Sequence, residues 1–188
     1  MLPNFRLNES TPISNAFIQK GIYDYITAVQ YIKELPYGRN RDKSNLINVL
    51  GDNRGTCSTK HALLSQLAIE HERTDISLMM GIFKMDKIYA PNIGAILKQY
   101  GLDYIPEAHN YLLFNDQRID CTTKTSQAID FEDKLIEEIQ IEPYQITDYK
   151  VNYHKAFLKK WLEENSHINL SNQELWSVRE DCIKALSL

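Results

Sequence analysis

The sequence predicts an α+β fold, and two observations lead to that prediction. Apolar residues recur at helical spacing on both sides of the centre of the chain, in residues 12–34 and again in residues 152–186. Between them lie two short apolar runs, residues 76–83 and 108–114, which are typical of buried strands. Helices that come before and after a central strand region suggest the α+β class.

The N-terminal third is predicted to contain two helical segments. A long amphipathic stretch starts at Thr11-Pro12 and stops at Pro36 and Gly38, which are strong helix-ending signals. After a charged, Asn-rich loop the helical pattern resumes. Thr56 has the side chain of an N-cap, so we expect Cys57 to lie in the first turn of this second helix.

The centre of the chain is predicted to form a hairpin preceded by a short helix. Residues 93–100 have helical spacing and end at Gly101. Strands are then predicted over residues 108–114 and 118–122, joined by the turn-forming residues Asn115-Asp116-Gln117.

The C-terminal part reads as helical. Residues 132–139 and 152–165 are two candidates, and a third helix opens with the capping box Ser171 to Glu174. The chain as a whole, residues 1–188, is predicted to be one domain. Its core covers about residues 31–123, and a C-terminal helical extension covers about residues 131–188.

Composition and charge exclude several classes of protein. The hydrophobic fraction of 43% and the charged fraction of 24% are those of an ordinary globular protein. Lys+Arg 21 against Asp+Glu 25 gives 21 − 25 = −4, so we expect no nucleic-acid partner. No apolar run approaches the length of a membrane span, and no secretory signal is evident. The three cysteines are an odd number, which favours free thiols over a disulfide framework. The sequence therefore predicts a cytoplasmic protein with thiols, without membrane partners.

Cys57 is the candidate nucleophile. A helix N-terminus favours a thiolate, and the N–H of Cys57 is placed to bind an oxyanion. Gly55 would let a substrate backbone approach the sulfur, and Arg54 would lower the thiol pKa further. The alternative is a buried, inert cysteine, which is the common fate of an unpaired thiol.

His109 and Asp120 are the candidate base and its orienting acid. If Asn115-Asp116 is a two-residue loop, Phe114 pairs with Gln117, and strand alternation puts His109 and Asp120 on one face as diagonal neighbours. A carboxylate at that distance can hold the imidazole in one tautomer. A three-residue loop would instead turn Asp120 to the opposite face. A separate alternative is that His109 is a core histidine with its hydrogen bonds satisfied and Asp120 is a strand-end residue.

His61 offers two alternatives to that assignment. It lies one helical turn after Cys57 and is a rival base, although a half-buried structural role is favoured. With Cys57, His109 and Cys121 it also supplies the atom types of a tetrahedral zinc site. Zinc is disfavoured because Cys121 would point away from the face that carries Asp120, and no Cys-x-x-Cys pair is present. We therefore predict no metal and no cofactor.

Three segments of the chain resemble transglutaminase-like domains, a branch of the papain-like enzymes. Residues 55–64, GTCSTKHALL, are similar to the cysteine box of that family, and residues 35–38 are similar to the segment before it. Residues 108–114 and 119–122 resemble the family's His strand and Asp strand. The resemblance covers roughly residues 31–123.

This resemblance implies a papain-like core, in which Cys57 lies at the N-terminus of a central helix packed on a small antiparallel sheet, with flanking N- and C-terminal helices. It also implies Cys57 as nucleophile, His109 as base and Asp120 as orienting acid. The implied chemistry is acyl transfer through a thioester, and we expect hydrolysis of an amide in a peptide or small molecule. Transfer of the acyl group to an amine and a non-catalytic binding relative are the alternatives.

Three further residues are candidates for binding the substrate. Arg39 and Arg54 could pair with a substrate carboxylate, although a solvated charged loop is the simpler interpretation. Tyr111 could line a groove beside His109, and its alternative is a place in the core.

Overall fold

The computed structural model describes residues 2–186 and confirms the α+β class. The helices are α1 (Pro12–Ile18), α2 (Tyr25–Glu34), α3 (Asn48–Gly51), α4 (Cys57–Ile69), α5 (Gly94–Gln99), α6 (Asp148–Glu164) and α7 (Asn172–Leu186). The strands are β1 (Ser77–Asp86), β2 (Tyr104–Phe114), β3 (Gln117–Ile119) and β4 (Leu135–Ile141). Single 3₁₀ turns lie at Pro91–Ile93, Ala128–Asp130, Glu132–Lys134 and Pro143–Ile146.

The chain divides into two compact units. The first unit contains Met1–Met80, His109–Ala128 and Ile139–Thr147, and the second contains Gly81–Ala108, Ile129–Glu138 and Asp148–Leu188. Residues 81–108 belong to the second unit, together with the C-terminal helices.

The four strands form one antiparallel sheet in the order β3-β2-β1-β4. The predicted two-residue hairpin is confirmed, since Phe114 pairs with Gln117. Asn115 and Asp116 have φ values of 48° and 58°, the left-handed backbone that such a turn requires. The second strand of the hairpin is shorter than predicted and ends at Ile119, so Asp120 lies just beyond the ladder.

Two helix predictions are wrong. Residues 132–139 form a 3₁₀ turn followed by β4, because the Ile-rich run Leu135–Ile141 joins β1 at the edge of the sheet. The C-terminal helical extension therefore begins at Asp148 and not near residue 131.

The N-terminal stretch, predicted as one long helix, is two helices. Gly21 has a φ of 79°, and Asp24 caps α2 by accepting from the N–H of Thr27 at 3.0 Å.

Helix α4 is the central element of the first unit. It contacts α1, α2, α3 and the 3₁₀ turn at Pro143–Ile146. Burial extends around the helix and includes both apolar and polar side chains: Thr59, Lys60, His61, Ala62, Leu63, Leu64, Ser65, Leu67 and Ala68. A helix that is buried on all sides is held rigidly by its neighbours. Its first residue, Cys57, is only half-buried.

In the second unit, α7 contacts α5, α6 and the 3₁₀ turn at Pro91–Ile93. The capping box predicted for α7 is confirmed, because Ser171 N–H donates to Glu174 Oε2 at 2.8 Å and Glu174 N–H donates to Ser171 Oγ at 3.2 Å. None of the helices in residues 2–186 is long and apolar enough to cross a membrane.

Candidate active site

Cys57 is the first residue of α4, as predicted. Thr56 is the N-cap, and it forms a capping box with Thr59: Thr59 N–H donates to Thr56 Oγ1 at 3.4 Å, and Thr56 N–H donates to Thr59 Oγ1 at 3.0 Å. The half-buried thiol of Cys57 thus lies at the positive end of a capped helix, where the helix dipole favours a negative charge.

The segment before Cys57 is held by a neighbouring stretch of chain. Gly55 N–H donates to Pro36 O, and Gly38 N–H donates to Gly55 O, both at 3.2 Å. A Cβ atom on Gly55 would lie 2.8 Å from Cγ of Lys60. Lys60 thus leaves no room for a side chain at position 55, which is a reason for the glycine within the protein itself.

His109 and Asp120 meet as the hairpin register predicted. His109 Nε2 lies 2.9 Å from Asp120 Oδ2, and both residues are 4% exposed. Asp120 Oδ1 accepts a hydrogen bond from Thr122 N–H at 2.8 Å. The carboxylate is thus fixed from two sides, with one oxygen on the imidazole and the other on the main chain.

The protonation state of His109 is set by its two neighbours. Burial alone would lower the pKa of His109, but Asp120 and Cys57 outweigh it by charge and by hydrogen bonding, and they raise the pKa to about 10. Because Nε2 is engaged by Asp120, Nδ1 is the ring nitrogen left to address Cys57. The arrangement favours an imidazolium between a carboxylate and a thiolate. Burial disfavours the charge of Asp120 too, yet His109 holds the pKa of that carboxyl well below its usual range.

His61 is not a rival base, because both of its ring nitrogens are occupied. Nδ1 lies 2.7 Å from Cys57 O, and Nε2 accepts from Cys121 N–H at 2.7 Å. Burial lowers the pKa of His61 to about 4, so the ring is neutral. The favoured structural role agrees with this geometry, but the side chain is fully buried and not half-buried.

Lys60 is a buried lysine that was not among the residues predicted for the site. Its ammonium group donates to Thr122 O at 2.7 Å and to Leu35 O. Burial lowers the pKa of Lys60 to about 8. A signal for this residue existed, since Lys60 shares the i, i+3, i+4, i+7 stripe of Leu63, Leu64 and Leu67.

Asn40 is a second residue that was not among those predicted for the site. Its amide N–H groups donate to Arg54 O at 2.9 Å and to Asp52 Oδ2 at 3.2 Å, and its Oδ1 accepts from Thr59 Oγ1 at 2.7 Å. Asn40 therefore links the loop before Cys57 to the first turn of α4. Long-range contacts of a loop amide leave no spacing pattern in a sequence.

The three candidate substrate-binding residues have different environments. Arg39 and Arg54 are exposed, and the Arg54 side chain lies against Gly38. Tyr111 is fully buried, and its ring stacks on His109 with centroids 6.1 Å apart. The arginines can reach a ligand from solvent, whereas Tyr111 packs behind the imidazole.

The other two cysteines differ from Cys57. Cys121 and Cys182 are buried thiols, and burial raises their pKa values to about 12 and about 11. Within residues 2–186 no group of His, Cys, Asp and Glu side chains is arranged to hold a metal ion. Of the set considered for zinc, His61 has both nitrogens engaged by the main chain.

Comparisons of the chain with protein-family models, curated proteins and solved structures found no match. The resemblance to transglutaminase-like domains stays a prediction from the residues of the three segments.

Proposed function

We propose that this protein is a thiol acyl-transfer enzyme that hydrolyses an amide through a thioester on Cys57, in a site similar to that of transglutaminase-like enzymes. The observation that carries the proposal is the buried His109–Asp120 pair, at 2.9 Å, with its imidazole hydrogen-bonded to a cysteine at the start of a capped helix. Nucleophile, base and orienting acid are the three parts that thiol acyl transfer requires.

In the acylation half of the reaction, the Cys57 thiolate attacks the carbonyl carbon of the amide. The carbonyl oxygen becomes an oxyanion, which the N–H groups at the start of α4 stabilise. The tetrahedral intermediate collapses as the C–N bond breaks, and His109 gives its Nδ1 proton to the leaving nitrogen. The products are an amine, neutral His109 and a thioester on Cys57.

In the deacylation half, neutral His109 takes a proton from water as the water oxygen attacks the thioester carbon. The C–S bond breaks, and the carboxylic acid leaves with the thiolate and the imidazolium restored. Asp120 stays ionised throughout and stabilises the imidazolium. The exposed guanidinium groups of Arg39 and Arg54 favour substrates with an acidic group, because guanidinium binds carboxylate in a bidentate manner.

The first test measures the rate at which iodoacetamide alkylates Cys57 between pH 5 and pH 10, followed by intact mass. A thiolate held by an imidazolium reacts well below the free-thiol pKa of about 8.5. We expect wild-type protein to show this low-pH reactivity and His109→Ala to lose it. Cys57→Ala identifies any alkylation at the buried cysteines. Wild-type reactivity that follows a free thiol would overturn the proposal.

The second test screens a library of peptide amides with acidic and neutral side chains, with and without hydroxylamine. Hydrolysis gives a carboxylic acid, whereas capture of the thioester by the added nucleophile gives a hydroxamate. Turnover that requires Cys57 supports an enzyme. Reactive Cys57 without turnover of any amide would instead favour a binding relative.

We place this activity in the cytoplasm. The proposal is supported by the state of the cysteines, since all three are thiols in residues 2–186, and reducing compartments keep thiols in that state.

A further inference from the structure

We propose that His61 is a positioning residue of this site: its neutral imidazole joins the main chain of the nucleophile to the main chain that follows Asp120, and so reserves Asp120 for His109. This inference rests on the proposed function.

The first step of the argument is the bridge itself. One nitrogen of His61 lies 2.7 Å from the carbonyl oxygen of Cys57, and the other lies 2.7 Å from the amide nitrogen of Cys121. The second contact has a fixed direction, because a main-chain N–H can only donate. Nε2 must therefore accept, and Nδ1 carries the proton that it donates to Cys57 O. A rigid ring with both nitrogens committed sets the spacing between the two chain segments.

The second step concerns the choice that Asp120 makes between two imidazoles. Its Oδ2 lies 2.9 Å from His109 Nε2, within hydrogen-bond distance, whereas its Oδ1 lies 3.6 Å from His61 Nε2 and is too far. Oδ1 is taken instead by Thr122 N–H at 2.8 Å. If Nε2 of His61 carried a proton, it would compete for this carboxylate. The Cys121 N–H prevents that by occupying the Nε2 lone pair.

The third step is the charge around the ring. His61 is fully buried, and the charged or titratable groups that act on it are Asp120, His109 and Lys60. Burial, His109 and Lys60 oppose a protonated ring and lower the pKa of His61, although Asp120 and the hydrogen bond with Cys57 O favour protonation. Because His61 is neutral and His109 is protonated, Asp120 forms its ion pair with His109 alone.

The chain offers a matched control in His71, which follows the end of the same helix. Its Nδ1 lies 2.9 Å from Leu67 O, four residues earlier, and its Nε2 accepts from Asn8 N–H at 3.1 Å. His71 thus makes the same kind of bridge, from a carbonyl of α4 to the N–H of another segment, without contact to Cys57, His109 or Asp120.

The experiment compares His61→Leu, His61→Gln and His71→Leu by iodoacetamide alkylation of Cys57 at pH 6 and pH 9.5, together with thermal unfolding. We expect His61→Leu to slow alkylation at pH 6 by about tenfold, the value of one pKa unit, and at pH 9.5 by less than about twofold. Glutamine keeps an acceptor for Cys121 N–H, so His61→Gln should regain most of the rate at pH 6. His71→Leu should lower the melting temperature with alkylation at both pH values unchanged.

Two outcomes overturn the inference while the proposed function survives. One is a His61→Leu profile equal to that of wild type, and the other is an equal loss of low-pH reactivity in His71→Leu, which would mark a general effect of destabilisation. If wild-type protein itself lacks His109-dependent reactivity at pH 6, the proposed function is the part that fails.

A measurement on wild-type protein covers the case in which the His61 variants do not fold. Nitrogen-15 NMR of the imidazole rings at pH 7 should show His61 as the Nδ1–H tautomer and His109 as imidazolium. An Nε2–H or protonated His61 would overturn the inference, since the ring could not then accept from Cys121.

Discussion

Each of the two units buries an acid against a cationic partner, and the two pairs are built for different purposes. In the second unit, Arg179 donates from Nε and from a terminal nitrogen to both oxygens of Glu107, at 2.7 and 2.5 Å. Another terminal nitrogen donates to Glu180 at 2.7 Å. In the first unit, Asp120 faces the imidazole of His109 at 2.9 Å.

The difference between the pairs lies in the cation. Burial works against both charges of the Glu107–Arg179 pair, but each partner outweighs it, lowering the pKa of Glu107 and raising the pKa of Arg179. Arginine cannot release its proton in a protein, so that pair is permanently charged and serves packing. An imidazole can give and take a proton, and His109 also reaches a thiol. A buried acid becomes chemically useful when its partner can titrate.

The largest effect should come from breaking the permanent pair. Arg179→Met leaves the Glu107 carboxylate buried without its partner, and we expect a loss of about 3–5 kcal/mol in the free energy of unfolding. The double variant Glu107→Leu/Arg179→Met removes both charges and should recover most of that loss. Urea unfolding measures both. A double variant as unstable as the single one would show that packing, and not charge, explains the effect.

The next effect should come from neutralising the titratable pair. Asp120→Asn removes the charge that raises the pKa of His109, so imidazolium and thiolate become less populated near neutral pH. Alkylation of Cys57 at pH 6 should slow by about ten- to a hundredfold, equivalent to one or two pKa units. Asp86→Asn is the control, since Asp86 pairs with Lys134 at 2.9 Å in the second unit. Equal rates for wild type and Asp120→Asn would contradict the assigned role.

Stability against pH should separate the two pairs as well. We use Cys57→Ala as the background, because titration of the thiol would otherwise overlap. A raised pKa in the folded state means that the His109–Asp120 contribution is fully present below about pH 6.5 and is lost as pH rises toward the folded value. The Glu107–Arg179 pair stays charged over this range and adds no slope.

Between pH 6 and pH 10, Cys57→Ala should lose at least about 1.4 kcal/mol more unfolding free energy than Cys57→Ala/Asp120→Asn, the value of one pKa unit. Urea unfolding at four pH values measures the difference in unfolding free energy between the two variants. Because both variants contain the same other titratable groups, the contributions of those groups cancel in the difference. Parallel curves would mean that Asp120 does not hold the proton on His109.

The smallest effect compares the two capping boxes. Thr56→Ala and Ser171→Ala each remove a helix N-cap, and each should cost about 1 kcal/mol of stability. Only Thr56→Ala disturbs the turn that carries Cys57, so only this variant should lower the alkylation rate at pH 6. A similar change in Ser171→Ala would show that the rate follows overall stability.

The parts of the site that follow local rules were predictable from sequence. The N-cap at Thr56 placed Cys57 at the start of a helix, and the turn at Asn115-Asp116 set the register that brings His109 to Asp120. Both are short-range patterns, in which the residue type and its spacing determine the backbone.

The parts that depend on tertiary contacts were not predictable. Residues 132–139 have apolar spacing that suits a helix. Part of this segment is nevertheless a strand, because β4 pairs with the edge of β1 that β2 does not cover. Gly55 was assigned to substrate approach, whereas Lys60 fills the space beside it. His61 was expected to be half-buried, and its partners Cys57 O and Cys121 N–H are main-chain atoms that no side-chain pattern reveals.

The contrast among the three cysteines has a practical consequence for finding ligands. Cys57 is half-buried at a helix start, while Cys121 and Cys182 are enclosed and have raised pKa values. The unmodified protein therefore has one cysteine thiol, that of Cys57, that a reagent in solution can reach. Mixtures of weakly electrophilic fragments can be incubated with the native chain and ranked by adduct mass, and the chemical groups common to the hits would outline the acyl donor before any natural one is found.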